Sequence, residues 1–207
     1  MNQWGASFFR YLTFGAAFLL AACASQEQIA PQATIGLPQV RAQAVQLKQQ
    51  LSRTTDSAKK LSKSSDADLA GSLESVSGNL DTLKTTVGVS REAVLSAQEQ
   101  ITTYFANWEK QSQGLSADMQ KTSKERQAEA SASFESLRDS IVAVRAGIWP
   151  YIDDMSEIVK YLRTDHTKNG LDAVSSRLSN TIGKEPAIQK DLDSVISKID
   201  AIMAKKQ

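Results

Sequence analysis

The sequence predicts an all-α protein, an elongated antiparallel helical bundle or coiled coil, four helices wide at one end and three at the other. Three observations predict it. Apolar residues recur at alternating steps of four and three through most of residues 40–202. No stretch alternates with period two over the length of a strand. The breaks between the apolar runs carry capping and turn residues: Ser64-Ser65-Asp66, Lys168-Asn169-Gly170, and Gly183 with Pro186.

Ahead of the helical body, Met1–Ala22 reads as an export signal. Arg10 supplies a positive flank, and Tyr11–Ala22 is an apolar run too short to span a bilayer comfortably. It closes on Leu20-Ala21-Ala22-Cys23, which looks like the lipobox of bacterial lipoproteins. A leucine and two small residues suit a peptidase that must accommodate extended backbone. The cysteine sulfur is the group that accepts a diacylglycerol. Cys23 is the only cysteine, so no intramolecular disulfide, thiolate metal site or paired-thiol redox chemistry is expected. Two or three acyl chains suffice for stable membrane residence. Ala24, where no aspartate stands, favours the outer membrane by the enterobacterial sorting rule. Ala24–Pro38, with Pro31, Gly36 and Pro38, reads as a tether able to reach about 50 Å when extended.

The first helical run takes Val40, Ala44, Leu47, Leu51, Ala58 and Leu61, with Thr54 in its seam. The second extends from Leu69 through Leu80, Val87 and Ile101 to Trp108, which predicts a single helix of about forty-five residues, roughly 68 Å long. A polar stretch, 111–133, contains Gly114. The third run goes from Phe134 through Val144 and Ile152 to Leu162. The last begins at Leu171 and is broken in two by Gly183 and Pro186.

Setting apolar against apolar predicts how the runs pair. A turn near Ser65 brings Leu51 to Leu80 and Leu47 to Leu83. A turn near Lys121 brings Trp108 to Phe134, Ile101 to Ile141 and Val94 to Ile148. A turn near Thr167–Lys168 brings Ile158 to Leu178 and Val144 to Leu192. These registers place the start of the first helix near the height of Gly88, Pro150 and Gly183–Pro186, where helices are expected to bend as a neighbour is lost. The seams are lean, with little interior volume for a substrate.

The formal net charge is +1. One of the 24 basic side chains, Arg10, precedes Cys23, so residues 23–207 carry equal numbers of acids and bases. No basic excess or stripe is present to neutralise phosphates, and no nucleic-acid partner is expected.

Candidate chemistry is sparse. His166, the only histidine, has Asp165 beside it, but a metal site or a catalytic set needs further converging groups. It reads as part of a polar turn. Asp153, Asp154 and Glu157 cluster after Pro150. Adjacent aspartates on a helix diverge by about 100°, so a solvated face near a helix amino terminus accounts for them better than Ca²⁺ or acid–base work. No metal and no cofactor are expected. The aromatic residues after Cys23 all fall between Tyr104 and Tyr161. Most read as core. Phe105, next to the seam residue Tyr104, and Trp149, off the main stripe beside Pro150, are the candidates for contact with a partner.

The terminal Lys205-Lys206-Gln207 is similar to the end of the murein lipoprotein, which is joined to the cell wall through a carboxy-terminal lysine. This chain ends in glutamine and folds back on itself, and no covalent attachment is expected. More broadly, Trp108-Glu109, the polar Ser- and Lys-rich tip, Glu125-Arg126, Phe134-Glu135-Ser136-Leu137, and Pro150 ahead of Tyr161-Leu162, together with the lipobox, resemble a family of proteobacterial lipoproteins classed as a domain of unknown function. The resemblance implies long coiled-coil-like helices and brings no catalytic residue.

The expectation is a non-enzymatic envelope lipoprotein on the periplasmic face of the outer membrane. Acylated Cys23 would hold the lipid, and the bundle would act as spacer, adaptor or interaction surface for an envelope protein. Two other readings are a carrier for an apolar ligand held near Trp149–Ile152, and a structural protein that self-associates through exposed seams.

Overall fold

The computed structural model describes residues 34–204, and the lipobox residues Leu20, Ala21, Ala22 and Cys23 lie outside them, as do Lys205–Gln207. Among the described residues five helices follow one another: α1 (Leu37–Leu61), α2 (Asp66–Ser112), α3 (Ala117–Thr164), α4 (Lys168–Ile182) and α5 (Glu185–Ala204). The protein is an all-α helical bundle. The long helix expected from the second apolar run is α2, at 47 residues. The break at Gly183 divides the last run into α4 and α5 as the sequence predicts.

Local chemistry sets the helix ends. Pro38 sits in the first turn of α1, where its missing N–H costs nothing, and Lys59 and Lys60 lie in the last turn, where cations complement the dipole. Ser65, in extended conformation, precedes α2 and donates from Oγ to Asp68 Oδ2 at 2.7 Å, while Asp66 and Asp68 put negative charge in the first turn. The apolar stripes meet in one continuous core that includes Leu51, Leu61, Leu83, Ile148, Tyr151 and Met155, all essentially inaccessible to solvent.

Two of the three predicted registers are found. Between α1 and α2, Thr54 Oγ1 donates to Asn79 O at 3.2 Å and Gln50 Nε2 to the same carbonyl at 2.9 Å, which matches Leu51 opposite Leu80. Between α3 and α5, Ser140 Oγ and Ser194 Oγ are 3.1 Å apart, and Lys198 Nζ donates to Ser136 O at 2.8 Å. Gly147 allows Ile188 to approach so closely that a Cβ on residue 147 would stand 2.9 Å from Ile188 Cγ1.

The middle register is corrected. The chain turns at Gln113–Ser116, around Gly114, and not near Lys121; α3 has already begun at Ala117. Trp108 therefore faces Ser123, to whose Oγ its Nε1 donates at 2.8 Å, and Phe134 faces Phe105. The reason is that polar side chains hold this seam. Ser112 Oγ meets Ser123 Oγ at 2.6 Å, and Gln120 Nε2 donates to Leu115 O at 2.9 Å. Pairing apolar residues alone passes over such a seam and places the turn too late.

That shift also moves the place where the bundle narrows. Thr55 of α1 is bonded to Tyr151 of α3 at 2.9 Å, so the second half of α1, and not its start, lies beside Pro150. The start of α1 lies far along α5, where Arg41 Nε and Nη2 grip Asp200 at 2.7 and 3.1 Å. Lys48 pairs with Asp193 on the same side. The bundle is thus four helices wide along α1, and beyond the ends of α1 and α5 only the α2–α3 hairpin continues among the described residues, where three helices were expected. Helix α3 runs unbroken through Pro150. The end of the predicted tether also belongs to the bundle: Leu37 is buried, and Gly36 sits so close to Ala97 that a Cβ would be 2.9 Å from its Cα.

Candidate functional site

The segment of α3 after Pro150 carries most of the ionisable groups singled out in the sequence. Asp153 points to solvent. Asp154, one residue on and about 100° around the helix, is drawn into a clamp. Lys184 Nζ bonds Asp154 Oδ2 at 2.5 Å, Arg177 Nη2 bonds Asp154 Oδ1 at 2.9 Å, and the same guanidinium reaches Glu157 Oε2 at 2.5 Å. Helix α3 is continuous here, so these acids do not stand at a helix amino terminus and the dipole account fails. Partners explain two of them: Asp154 and Glu157 fasten α3 to α4 and to the short link before α5, while Asp153 stays solvated.

The hydrogen bond from Lys184, followed by that from Arg177, holds the Asp154 carboxyl below its ordinary range. A carboxylate depressed in the folded state contributes stability above its unfolded value and loses it as pH falls through the folded one. Asp154→Asn is therefore expected to cost about 1 kcal/mol near pH 7 and to flatten the acid limb of a urea-stability profile below about pH 4. An unchanged profile would show that the clamp contributes nothing. The sequence signal for Arg177 and Lys184 was present in the third register, which brings Leu178 beside Ile158. Apolar pairing fixes that register without revealing that the flanking charges meet across it.

The aromatic candidates separate. Phe105 is half-buried and belongs to a cluster at the base of the hairpin, edge-on to Tyr104 with centroids 5.3 Å apart, stacked on Trp108 at 6.3 Å, and edge-on to Phe134 of α3 at 5.8 Å. Tyr104 and Phe105 thus straddle one seam, although adjacent helix positions point about 100° apart. The arrangement is admissible because large rings on adjacent positions lean inward from both sides. Trp149 remains 42% exposed on the outer side of α3. Tyr151 is wholly buried, its hydroxyl bonded to Thr55.

His166 is exposed in the turn between α3 and α4. Its neighbour Asp165 accepts from Thr167 Oγ1 at 2.7 Å, which commits that carboxylate to the turn. Among the described residues no group of His, Cys, Asp and Glu is arranged to hold a metal ion, and no helix is long and apolar enough to cross a membrane. An open groove near the α1–α2 turn is lined by Ser57, Lys60, Asp68, Gly71, Ser72 and Ser75, away from Trp149 and Tyr151.

Fold and site define an elongated antiparallel helical bundle fastened along its length by ion pairs. Comparison with protein-family models, with curated proteins and with solved structures finds no match.

Proposed function

We propose that this protein is a non-enzymatic lipoprotein of the bacterial cell envelope, anchored through acylated Cys23 to the periplasmic face of the outer membrane, with its helical rod serving as an adaptor or interaction module. The observation that carries the reading is Leu20-Ala21-Ala22-Cys23, a lipobox holding the sole cysteine directly after an apolar run. The rest of the chain agrees with it. The ionisable groups that might have done chemistry, Asp154 and Glu157, are engaged with Arg177 and Lys184. An apolar-ligand carrier is disfavoured where it would need space: Ile148, Tyr151, Ile152 and Met155 fill the seam beside Trp149.

The test compares wild type with Cys23→Ala by membrane fractionation and intact mass. Wild type is expected in the membrane fraction, with a mature mass that starts at Cys23 and includes acyl chains. The variant is expected to leave that fraction almost entirely, since a chain lacking its acyl groups loses about 0.8 kcal/mol for every buried methylene. An unacylated Cys23, or a variant that still sediments with membranes, defeats the proposal.

A further inference from the structure

The outer face of α3 departs from what a surface helix requires. Its buried residues, among them Val144, Ile148, Tyr151 and Met155, mark the inward side. The opposite side of such a helix is expected to be polar. Instead Val142 is 58% exposed and Trp149 42%, two turns apart on that outward side, with exposed Ala146 between them.

The charges around this patch are ordered. Arg138 precedes Val142 by the same four-residue step by which Asp153 follows Trp149, so the face reads cation, apolar, small, apolar, anion. Reversed end for end, that order is its own complement. Both charges are available. Arg138 is 71% exposed with only a 3.9 Å approach to adjacent Asp139, and Asp153 is exposed, while Asp154 and Glu157 take the cations of Arg177 and Lys184. A two-fold axis beside Ala146 lays Val142 of each copy against Trp149 of the other and brings each Arg138 to the other copy's Asp153. The axis falls between Arg145 and Ala146, both exposed; the small Ala146 leaves room there for the two backbones to approach, and the long Arg145 side chain carries its charge outward into water.

We propose that this face binds a second copy of the same chain, as an antiparallel α3–α3 pair with the isologous contacts of a two-fold dimer. The stripe covers about four helical turns, less than a permanent dimer uses, so the pair is a weak one, strengthened where an anchor confines the copies. The inference rests on α3 alone and does not depend on lipidation. It makes the self-associating surface an outer face of α3, and not the seams.

The test is oxidative cross-linking of the full chain carrying Ala146→Cys, with Ser176→Cys on exposed α4 and wild type as references. Wild type reports any pairing through Cys23 itself, which separates failure of the anchor from failure of the dimer. Disulfide dimer is expected at residue 146 at about five times the yield at residue 176. Arg138→Asp in the Ala146→Cys chain is expected to reduce it to the reference level, and Arg138→Asp with Asp153→Arg to restore it, because the reversed charges again meet their opposites. Equal yields at residues 146 and 176, a dimer indifferent to Arg138→Asp, or a double reversal that fails to restore it overturns the proposal.

Discussion

Tyr151→Ala is expected to destabilise the bundle by about 3–5 kcal/mol, the range for emptying a large aromatic site from a packed core. Tyr151 has no exposed surface, and it stands where α1, α3 and the core stripe converge. Its hydroxyl is paired with Thr55, itself completely buried. Tyr151→Phe keeps the ring and removes one hydrogen bond, and is expected to cost about 1 kcal/mol near neutral pH.

The two substitutions differ from wild type in a further way at high pH. Burial pushes the Tyr151 phenol up to about 12, against the smaller opposing influence of the bond to Thr55. In the unfolded chain a tyrosine ionises near about 10. The folded state therefore holds the proton more tightly. Its contribution is fully present below about pH 10 and is lost as pH rises toward the folded value, amounting to roughly 3 kcal/mol by then. Phenylalanine has no proton to lose. Stability curves of wild type and Tyr151→Phe are expected to cross near about pH 11, with the variant the more stable above it. Urea titrations at successive pH values check this, and parallel curves would mean that the hydroxyl reaches solvent. Burial also raises the Tyr104 phenol, so Tyr104→Phe serves as the comparison that isolates Tyr151.

How much of this was legible in advance depended on what kind of contact held each seam. Where Leu, Val and Ile meet their own kind, as between Leu51 and Leu80 or around Ile158 and Leu178, spacing alone located the partner helix, because a period of three and four admits few registers. Between α2 and α3 the seam contains Trp108 donating to Ser123, Ser112 against Ser123 and Gln120 capping Leu115. Ser and Gln look the same in a sequence whether they face water or one another. Apolar spacing therefore places the turn too late and predicts three helices at the hairpin end.

The site was legible in a similar, partial way. Trp149 stood out because it falls off the stripe, and it is exposed. Asp154 stands out as part of an acidic cluster, but its role depends on Arg177 of α4 and Lys184 of the link before α5, more than twenty residues away. Tyr151 carries no signal of its own in the sequence beyond its place in the Trp149–Ile152 stretch. Its bond to Thr55 spans the corrected part of the fold, and no spacing rule reaches across a register that is itself misplaced.

The turn between α3 and α4 supplies the other large effect, and there two physical rules predict opposite signs. Gly170 lies in the first turn of α4. By helix propensity alone, Gly170→Ala should stabilise by about 1 kcal/mol. The space is already taken: a Cβ at residue 170 would stand 2.2 Å from Asp165 O and 2.8 Å from Asp165 Cγ. A backbone carbonyl cannot swing aside as a side chain can, so the whole turn must move. That turn is tied at several points. Gly170 N donates to Thr167 Oγ1 at 3.1 Å, Thr167 Oγ1 donates to Asp165 Oδ1 at 2.7 Å, and Lys168 N donates to Asp66 Oδ1 at 2.6 Å, which joins it to the first residue of α2. The clash is expected to outweigh propensity, leaving Gly170→Ala less stable than wild type by about 2–3 kcal/mol. Gly78 offers the control, since nothing lies within 4 Å of a Cβ placed there and propensity acts unopposed. Gly78→Ala should raise the urea midpoint and Gly170→Ala lower it. A gain at both positions would mean that Asp165 does not close over residue 170, and that α3 and α4 are joined by a looser turn.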